Sequence, residues 1–240
     1  MFDKIITFSA DPKYVNLKEC YPEPIKLNIP EWFKKLEHAP DKLTVKGCMP
    51  FLETLTSGYL LKLPLEFHLR HNVLNKNGER ESHFNTVTNV IDGVNLNYNK
   101  DTYHPPIQLK GSPLVKKNLD FSIYKIHNPW RIQTPPGYSC LFIPPLNNSD
   151  DRFSIVPAIV HTDKYKLEIN FPFTVNGDKY PILDTVLKKG TPYVQVIPFK
   201  RDSWKMQIKS KEENLILNWN WTFNLFRVYQ SKIWEKIKWK

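Results

Sequence analysis

Twenty prolines are spread along this 240-residue chain, against only eight glycines. Proline has no amide N–H donor and fixes φ, so it interrupts helices and is placed at strand ends, bulges and turns. The sequence therefore predicts many short strands and no long helix. Apolar residues make up 41% of the chain and charged residues 24%, a composition that is typical of a globular protein with a sizeable core.

Several segments alternate apolar and polar residues with a period of two, the pattern of a half-buried strand. The clearest runs from Leu65 to Arg70, and a turn signal from Asn75 to Gly78 follows it. Their number and spacing predict a mainly β protein, an antiparallel β-roll of the jelly-roll or cupin-like type. The other strands are expected at 83–90, 121–126, 139–144, 153–160 and 166–175.

Two helices are expected outside the roll. Residues 29–36 form a short N-terminal helix with Pro30 in its first turn, and aromatic and apolar residues recur at helical spacing from about Asn224. We predict one domain over 1–240, with an N-terminal arm at 1–43, the β-roll at 44–218 and a helical basic tail at 219–240. The tail is expected to pack on the roll or to bind a partner or an anionic membrane surface.

The net charge of +10 comes mostly from lysine, with 28 Lys and 6 Arg. Readers of nucleic-acid sequence favour arginine, so this charge gives no specific nucleic-acid motif. No apolar run reaches the roughly 20 residues that span a bilayer, and the first residues lack the features of a secretory signal. We therefore expect a cytoplasmic protein without a membrane span. Its three cysteines form no Cys-x-x-Cys pair and are expected to be reduced.

The strongest candidate for chemistry is His161-Thr162-Asp163. A His-x-Asp pair at a strand end supplies two of the three protein ligands of non-haem iron in the facial triad of double-stranded β-helix oxygenases, which this segment resembles. The third ligand in those enzymes is a later histidine, and this chain has none after position 161. The alternative is a turn in which Asp163 caps backbone N–H groups.

Other catalytic and cofactor motifs are missing from the sequence. No nucleophile elbow and no glycine-rich phosphate loop is present. If the roll has a ligand site, we expect it at the mouth, where polar residues interrupt apolar strands. The ligand-binding candidates there are Arg131, Tyr138, Gln195 and Arg201, beside the metal candidates His161 and Asp163.

Four segments resemble an uncharacterised family of similar length from tailed phages, marine viruses and bacteria. The resemblance implies a viral or phage-type source, and hence residence in a host cytoplasm, but implies no activity. The segments are 29–33 (IPEWF), 44–59 (TVKGCMPFLETLTSGY), 128–130 (NPW) and 189–199 (KGTPYVQVIPF).

Two segments, 136–139 (PGYS) and 189–197 (KGTPYVQVI), are similar to the closing strands of the dUTPase and dCTP-deaminase fold. This resemblance implies a β-clip in which a glycine turn and a glutamine pack together, with a concave site for a nucleotide. Three functions follow as hypotheses. The first is a non-catalytic phage-type accessory protein that binds a small ligand or a protein partner. The others are a metal-dependent cupin or 2-oxoglutarate-oxygenase-like enzyme, with iron as its cofactor, and a dUTPase-like nucleotide-binding protein.

Overall fold

A computed structural model describes residues 4–39, 41–91, 93–96, 103–118, 122–210 and 229–240. The protein is mainly β, with antiparallel sheets and short helices, as the distribution of prolines predicts. The strands in this part of the chain are β1 (Thr7–Ser9), β2 (Glu23–Pro24), β3 (Tyr59–Lys62), β4 (Phe67–Leu74), β5 (Arg80–Thr86), β6 (Val90–Ile91), β7 (Val94–Asn95), β8 (Tyr124–Ile126), β9 (Arg131–Gln133), β10 (Tyr138–Ile143), β11 (Phe153–Ile155), β12 (Ala158–Val160), β13 (Phe171–Val175), β14 (Leu183–Leu187) and β15 (Pro192–Lys200).

The helices are one or two turns long. None of the described helices is long and apolar enough to cross a membrane. They are α1 (Pro12–Val15), α2 (Glu31–Lys35) and α3 (Met49–Thr54), with 3₁₀ turns at Lys18–Cys20, Ile25–Asn28, Val45–Gly47, Pro106–Leu109 and Lys116–Asn118 and a π turn at Tyr229–Ile233.

The short N-terminal helix is confirmed as α2. Pro30 is its N-cap residue, with φ at −56°, and the fixed φ of proline favours this entry into a helix. The basic helix expected from about Asn224 lies mostly outside the described residues. Within 229–240 the chain makes the single π turn Tyr229–Ile233 and then continues to Lys240 without a helix.

The strands pair into antiparallel sheets. The largest has the order β12-β10-β15-β3-β2, and β15 is its central strand. Two three-stranded sheets have the orders β11-β13-β8 and β14-β4-β5, and β1 pairs with β9 and β6 with β7. Among the described strands, β12 therefore lies at an edge of the largest sheet.

Strand β4 and the turn after it follow the sequence prediction, whereas the strand predicted at 83–90 is β5 (Arg80–Thr86), with β6 (Val90–Ile91) as a separate strand. Phe67 and Leu69 are buried and alternate with the less buried His68 and Arg70. The predicted turn joins the two strands: the Asn75 N–H donates to the Glu79 carbonyl oxygen at 2.8 Å.

Other predicted strands also differ in extent, among them those at 153–160 and 166–175. Segment 153–160 contains two strands, β11 and β12, which belong to different sheets. Pro157 lies between them and has no N–H for a ladder, while the Val156 N–H donates to the Pro172 carbonyl oxygen at 2.8 Å. In segment 166–175 only Phe171–Val175 forms a strand.

One apolar core connects the three larger sheets. Its aromatic centre stacks the Phe67 and Phe84 rings at 4.6 Å between centroids, with Phe173 edge-on to Phe84 at 4.9 Å. Burial of each large apolar side chain contributes roughly 1.5–3 kcal/mol. Strands β4, β5 and β13 are thereby held in one body with β10 and β15.

We expect Gly58→Ala to destabilise the protein far more than Gly78→Ala. Both glycines have positive φ, at +85° and +79°, so alanine is strained at each by about 1–2 kcal/mol. A Cβ at position 58 would also overlap the Val196 carbonyl oxygen, whereas one at position 78 meets no atom within 4 Å. Urea unfolding should give a loss of roughly 3 kcal/mol or more for Gly58→Ala. Equal losses in the two variants would contradict this packing.

Candidate functional site

Four of the six predicted site residues lie at the two ends of the β10–β15 pair. Tyr138 of β10 is opposite Lys200 of β15, while Gln195 is opposite Ile143 at the far end. Arg201, Asp163 and the backbone of Tyr138 meet at the first end. The sequence therefore predicted one site where the structure has two separate groups of residues.

Arg201 and Asp163 form a paired contact at the end of β15. Arg201 Nη1 donates to Asp163 Oδ1 at 2.8 Å and Arg201 Nη2 donates to Oδ2. The Gly137 N–H donates to Asp163 Oδ2 at 2.9 Å, and Arg201 Nη1 also donates to the Tyr138 carbonyl oxygen at 2.6 Å. A bidentate pair of this kind is both strong and orienting. The Arg201–Asp163 pair links the end of β15 to the turn after β12.

The pairing changes the acidity of both groups. The hydrogen bonds from Arg201 hold the pKa of the Asp163 carboxyl well below its usual range, and the Gly137 N–H acts in the same direction. The carboxylate in turn raises the pKa of Arg201. Asp163 is therefore ionised at neutral pH.

The same contacts bear on the predicted iron site. Both carboxylate oxygens of Asp163 accept hydrogen bonds from the chain, and the His161 carbonyl oxygen accepts the N–H groups of Lys164 and Tyr165 at 2.9 Å each. Segment 161–163 is thus a turn, with Asp163 capping the neighbouring turn at Gly137. Across the described parts of the chain, no three His, Cys, Asp or Glu side chains are grouped to hold a metal ion, so iron there stays a prediction without a third ligand.

Gln195 is fully buried and its amide is used within the protein. The Leu146 N–H donates to Oε1 at 3.0 Å, and Nε2 donates to the carbonyl oxygens of Thr54 and Ser57 at 3.2 and 2.8 Å. An unpaired buried amide would cost free energy, and these bonds remove that cost. Gln195 joins β15 to the end of α3 instead of facing a ligand.

Arg131 and Tyr138 are the remaining predicted ligand residues. Arg131 Nη2 donates to Gln133 Oε1 at 3.2 Å, and its buried Nε has no hydrogen-bond acceptor among the described residues. The Tyr138 ring lies beneath Lys4 Nζ, 4.4 Å from the ring centroid. Ligand binding by these two residues stays a prediction.

An exposed extension follows Arg201, and the sequence prediction missed it. Residues 202–210, the 202–210 extension, have no helix or strand and are all exposed. The side chains of Trp204, Met206 and Ile208 are 92%, 82% and 85% exposed. They alternate with Lys205, Gln207 and Lys209, and this period of two is the signal that could have identified a segment able to form a strand.

The open edge at β12 also exposes apolar surface. Ile159 of β12 is opposite Leu141 of β10, and Leu141 is opposite Ile197 of β15, so the three side chains form one row across the sheet. Ile159 ends the row at the edge and is 60% exposed. An edge strand with apolar side chains is a template for another strand.

A second polar cluster covers the outer face of the β14-β4-β5 sheet. His68 Nε2 is 2.5 Å from Asp184 Oδ1, Arg70 Nε donates to Asp184 Oδ2 at 3.1 Å, and Arg70 Nη1 donates to Glu81. The His68 and His83 rings are 5.3 Å apart. The hydrogen bond from His68 lowers the pKa of Asp184, and partial burial lowers that of His83. The charges neutralise one another on a largely exposed surface.

The chain matches no protein-family model and no curated protein. The functional argument therefore rests on the residues described above.

The Arg201–Asp163 pair should make stability depend on pH. The native pKa of Asp163 lies below its unfolded value of about 3.9, so the pair stabilises the fold above about pH 4 and this contribution is lost as the pH falls towards the native pKa. The difference in free energy of unfolding between wild type and Asp163→Asn should be constant from about pH 5 to 7 and shrink at lower pH. Urea unfolding at a series of pH values measures it.

Asp178→Asn is the control, because its carboxylate is half-exposed and 3.8 Å from Lys116 Nζ. Its effect at neutral pH should be smaller than that of Asp163→Asn, since exposed ion pairs contribute little. A difference between wild type and Asp163→Asn that stays unchanged down to pH 3 would show that the pair does not stabilise the fold through ionised Asp163.

Proposed function

We propose that this is a non-catalytic, partner-binding β protein whose partner is a second copy of the same chain. Each copy would add its 202–210 extension as a strand to the β12 edge of the other. The observation that carries this proposal is the exposure of Trp204, Met206 and Ile208 at alternate positions of a segment without helix or strand. The proposed function is assembly, not chemistry.

The extension carries the exposed apolar side chains expected of one side of a protein–protein interface. Three large apolar side chains at alternate positions fall on one face of an extended chain. Burial of a Met or an Ile contributes roughly 1.5–3 kcal/mol, and tryptophan is the residue most enriched at the energetic centres of interfaces. Because burial of these three side chains is favourable, a state in which another protein surface covers them is favoured.

The β12 edge has the features expected of the other side of this interface, an edge strand with an exposed apolar side chain. An incoming strand would bond to its outer backbone groups and would place apolar side chains beside Ile159, extending the row of Leu141 and Ile197. Strand addition of this kind takes affinity from backbone hydrogen bonds and specificity from alternate side chains. Trp204, Met206 and Ile208 have the required spacing.

Strand direction favours a second copy over the same chain. Both β12 and β15 are antiparallel to β10 and hence parallel to each other. To reach its own β12 edge, the extension would have to pass the ends of β10 and β12, roughly 10–15 Å at the usual strand spacing, and reverse direction. In the structure it stays exposed through Ser210. In a dimer with two-fold symmetry, each extension pairs with the β12 edge of the other copy, and no extension or edge is left for a third copy.

The rest of the proposal follows the sequence. The antiparallel pairing supports a β-roll scaffold, and the resemblance to phage proteins supports a role as a viral accessory protein in a host cytoplasm. For the oxygenase alternative, the described residues offer no third metal ligand. Gln195 gives no support to the nucleotide-binding alternative, because its amide group forms hydrogen bonds within the protein.

The test is the mass of the protein in solution. Light scattering and sedimentation from about 1 to about 100 µM, a range that brackets a micromolar interface, should give a dimer of the 28.4 kDa chain. Replacing Trp204, Met206 and Ile208 together by Ser should give a monomer. The matched control replaces Lys205, Gln207 and Lys209 by Ser and should remain dimeric. A wild type that is monomeric throughout, or a control that dissociates equally, would sink the proposal.

A mixing experiment separates the two halves of the interface. Ile159→Lys puts a charge at the receiving edge, a substitution that blocks strand addition, and should also give a monomer. A mixture of Ile159→Lys with the Trp204, Met206 and Ile208 variant should form a heterodimer, because one intact extension then faces one intact edge. No association in the mixture would place the interface elsewhere.

A further inference from the structure

A pocket lies between helix α3 and the segment 229–240. Its volume is about 400 Å³, within the range of small-molecule sites. Leu52 and Thr56 line it from α3 and the turn that follows, and Trp234 and Trp239 line it from the other side. None of the residues predicted from the sequence to bind a ligand belongs to it.

The segment that forms the outer wall is held against the body of the protein. The Trp239 ring packs edge-on against Tyr59, with 5.8 Å between ring centroids. The Tyr59 hydroxyl donates to the Lys240 carbonyl oxygen at 3.1 Å, and the Trp234 N–H donates to the Tyr229 carbonyl oxygen at 2.8 Å. The pocket thus has a wall attached near its end to strand β3.

The lining is mainly flat apolar surface. Two indole rings and Leu52 supply most of it. The Trp234 Nε1 atom is buried and does not face the open volume of the pocket, so the ring faces, not this N–H group, would contact a ligand.

The charged lining residues are mostly cationic. The pocket is lined by three lysines, Lys26, Lys236 and Lys238, and by one acidic residue, Glu53. Among the described residues, none of the three lysines forms an ion pair. Lysines that are not neutralised within the protein attract an anion. The pocket therefore offers aromatic faces and positive charge within one small volume.

We propose that this pocket binds a small molecule that carries a flat aromatic ring and an anionic group. The ring would contact Trp234 and Trp239, since aromatic rings stack on indoles, and the anion would lie near Lys236 and Lys238. Two sources share this chemistry, the nucleoside monophosphates and the aromatic carboxylates. The pocket shares no residue with the 202–210 extension or with β12, so this proposal can fail while the proposed assembly holds, and the reverse.

The experiment is calorimetric titration of the full chain with whole ligands and with their parts. The whole ligands are AMP, UMP and indole-3-carboxylate; the parts are adenosine and inorganic phosphate. Binding of a whole ligand at least about tenfold more tightly than either part is the expected result, because ring and anion contribute together. Binding of AMP or UMP but not of indole-3-carboxylate would show that the ligand is a nucleotide. Binding of indole-3-carboxylate alone would show that it is an aromatic carboxylate.

Variants connect the binding to this pocket. Trp234→Leu should weaken the binding about tenfold or more through the lost stacking, and Lys236→Ala with Lys238→Ala should weaken it by reducing the attraction for the anion. Lys76→Ala with Lys188→Ala removes the same charge from exposed positions outside the pocket and should leave binding unchanged. Thermal unfolding of each variant checks that the fold is intact.

Three results would overturn the proposal. The first is that none of the whole ligands binds. The second is that inorganic phosphate binds as tightly as AMP and UMP, which would show an adventitious ion only. The third is equal binding by wild type, the Trp234→Leu variant and the paired lysine variant.

Discussion

The buried amide of Gln195 is the contact on which the arrangement around β15 depends. Strand β15 is central in the largest sheet, and a polar side chain in such a position must find partners because burial removes water. Its three hydrogen bonds reach the turn at Leu146 and the backbone at Thr54 and Ser57. One side chain therefore fixes the end of α3 and the turn after β10 against the same strand.

The close contact at Gly58 acts on the same region. Gly58 lies beside the Val196 carbonyl oxygen, and its own carbonyl oxygen accepts the Ile25 N–H at 3.1 Å. Backbone packed this closely leaves little freedom between β15 and the chain before β3. The surfaces that carry the proposals, the pocket beside α3 and the extension after β15, are thus attached to a rigid centre.

Local signals in the sequence were sufficient for part of this structure. Proline at a helix start identified α2, and alternation with a turn signal identified β4 and its turn, because neighbouring residues alone decide those features. The division of 153–160 between two sheets depends on partners distant in sequence, such as Pro172. The same limit applied to the site: the sequence predicted Gln195 as a ligand-binding residue and Asp163 as a metal ligand, but their hydrogen-bond partners come from elements that no spacing rule brings together.

The course of the chain at Arg201 has a mechanical consequence. The extension continues directly from β15, and Arg201 is fastened to Asp163 on the turn after β12. Tension applied to the extension in the direction of β15 would be transmitted to its antiparallel neighbours β10 and β3 on either side. The ladder bonds on both sides of the strand would then be loaded together in shear, not opened one after another. That arrangement resists force at the point where the 202–210 extension begins.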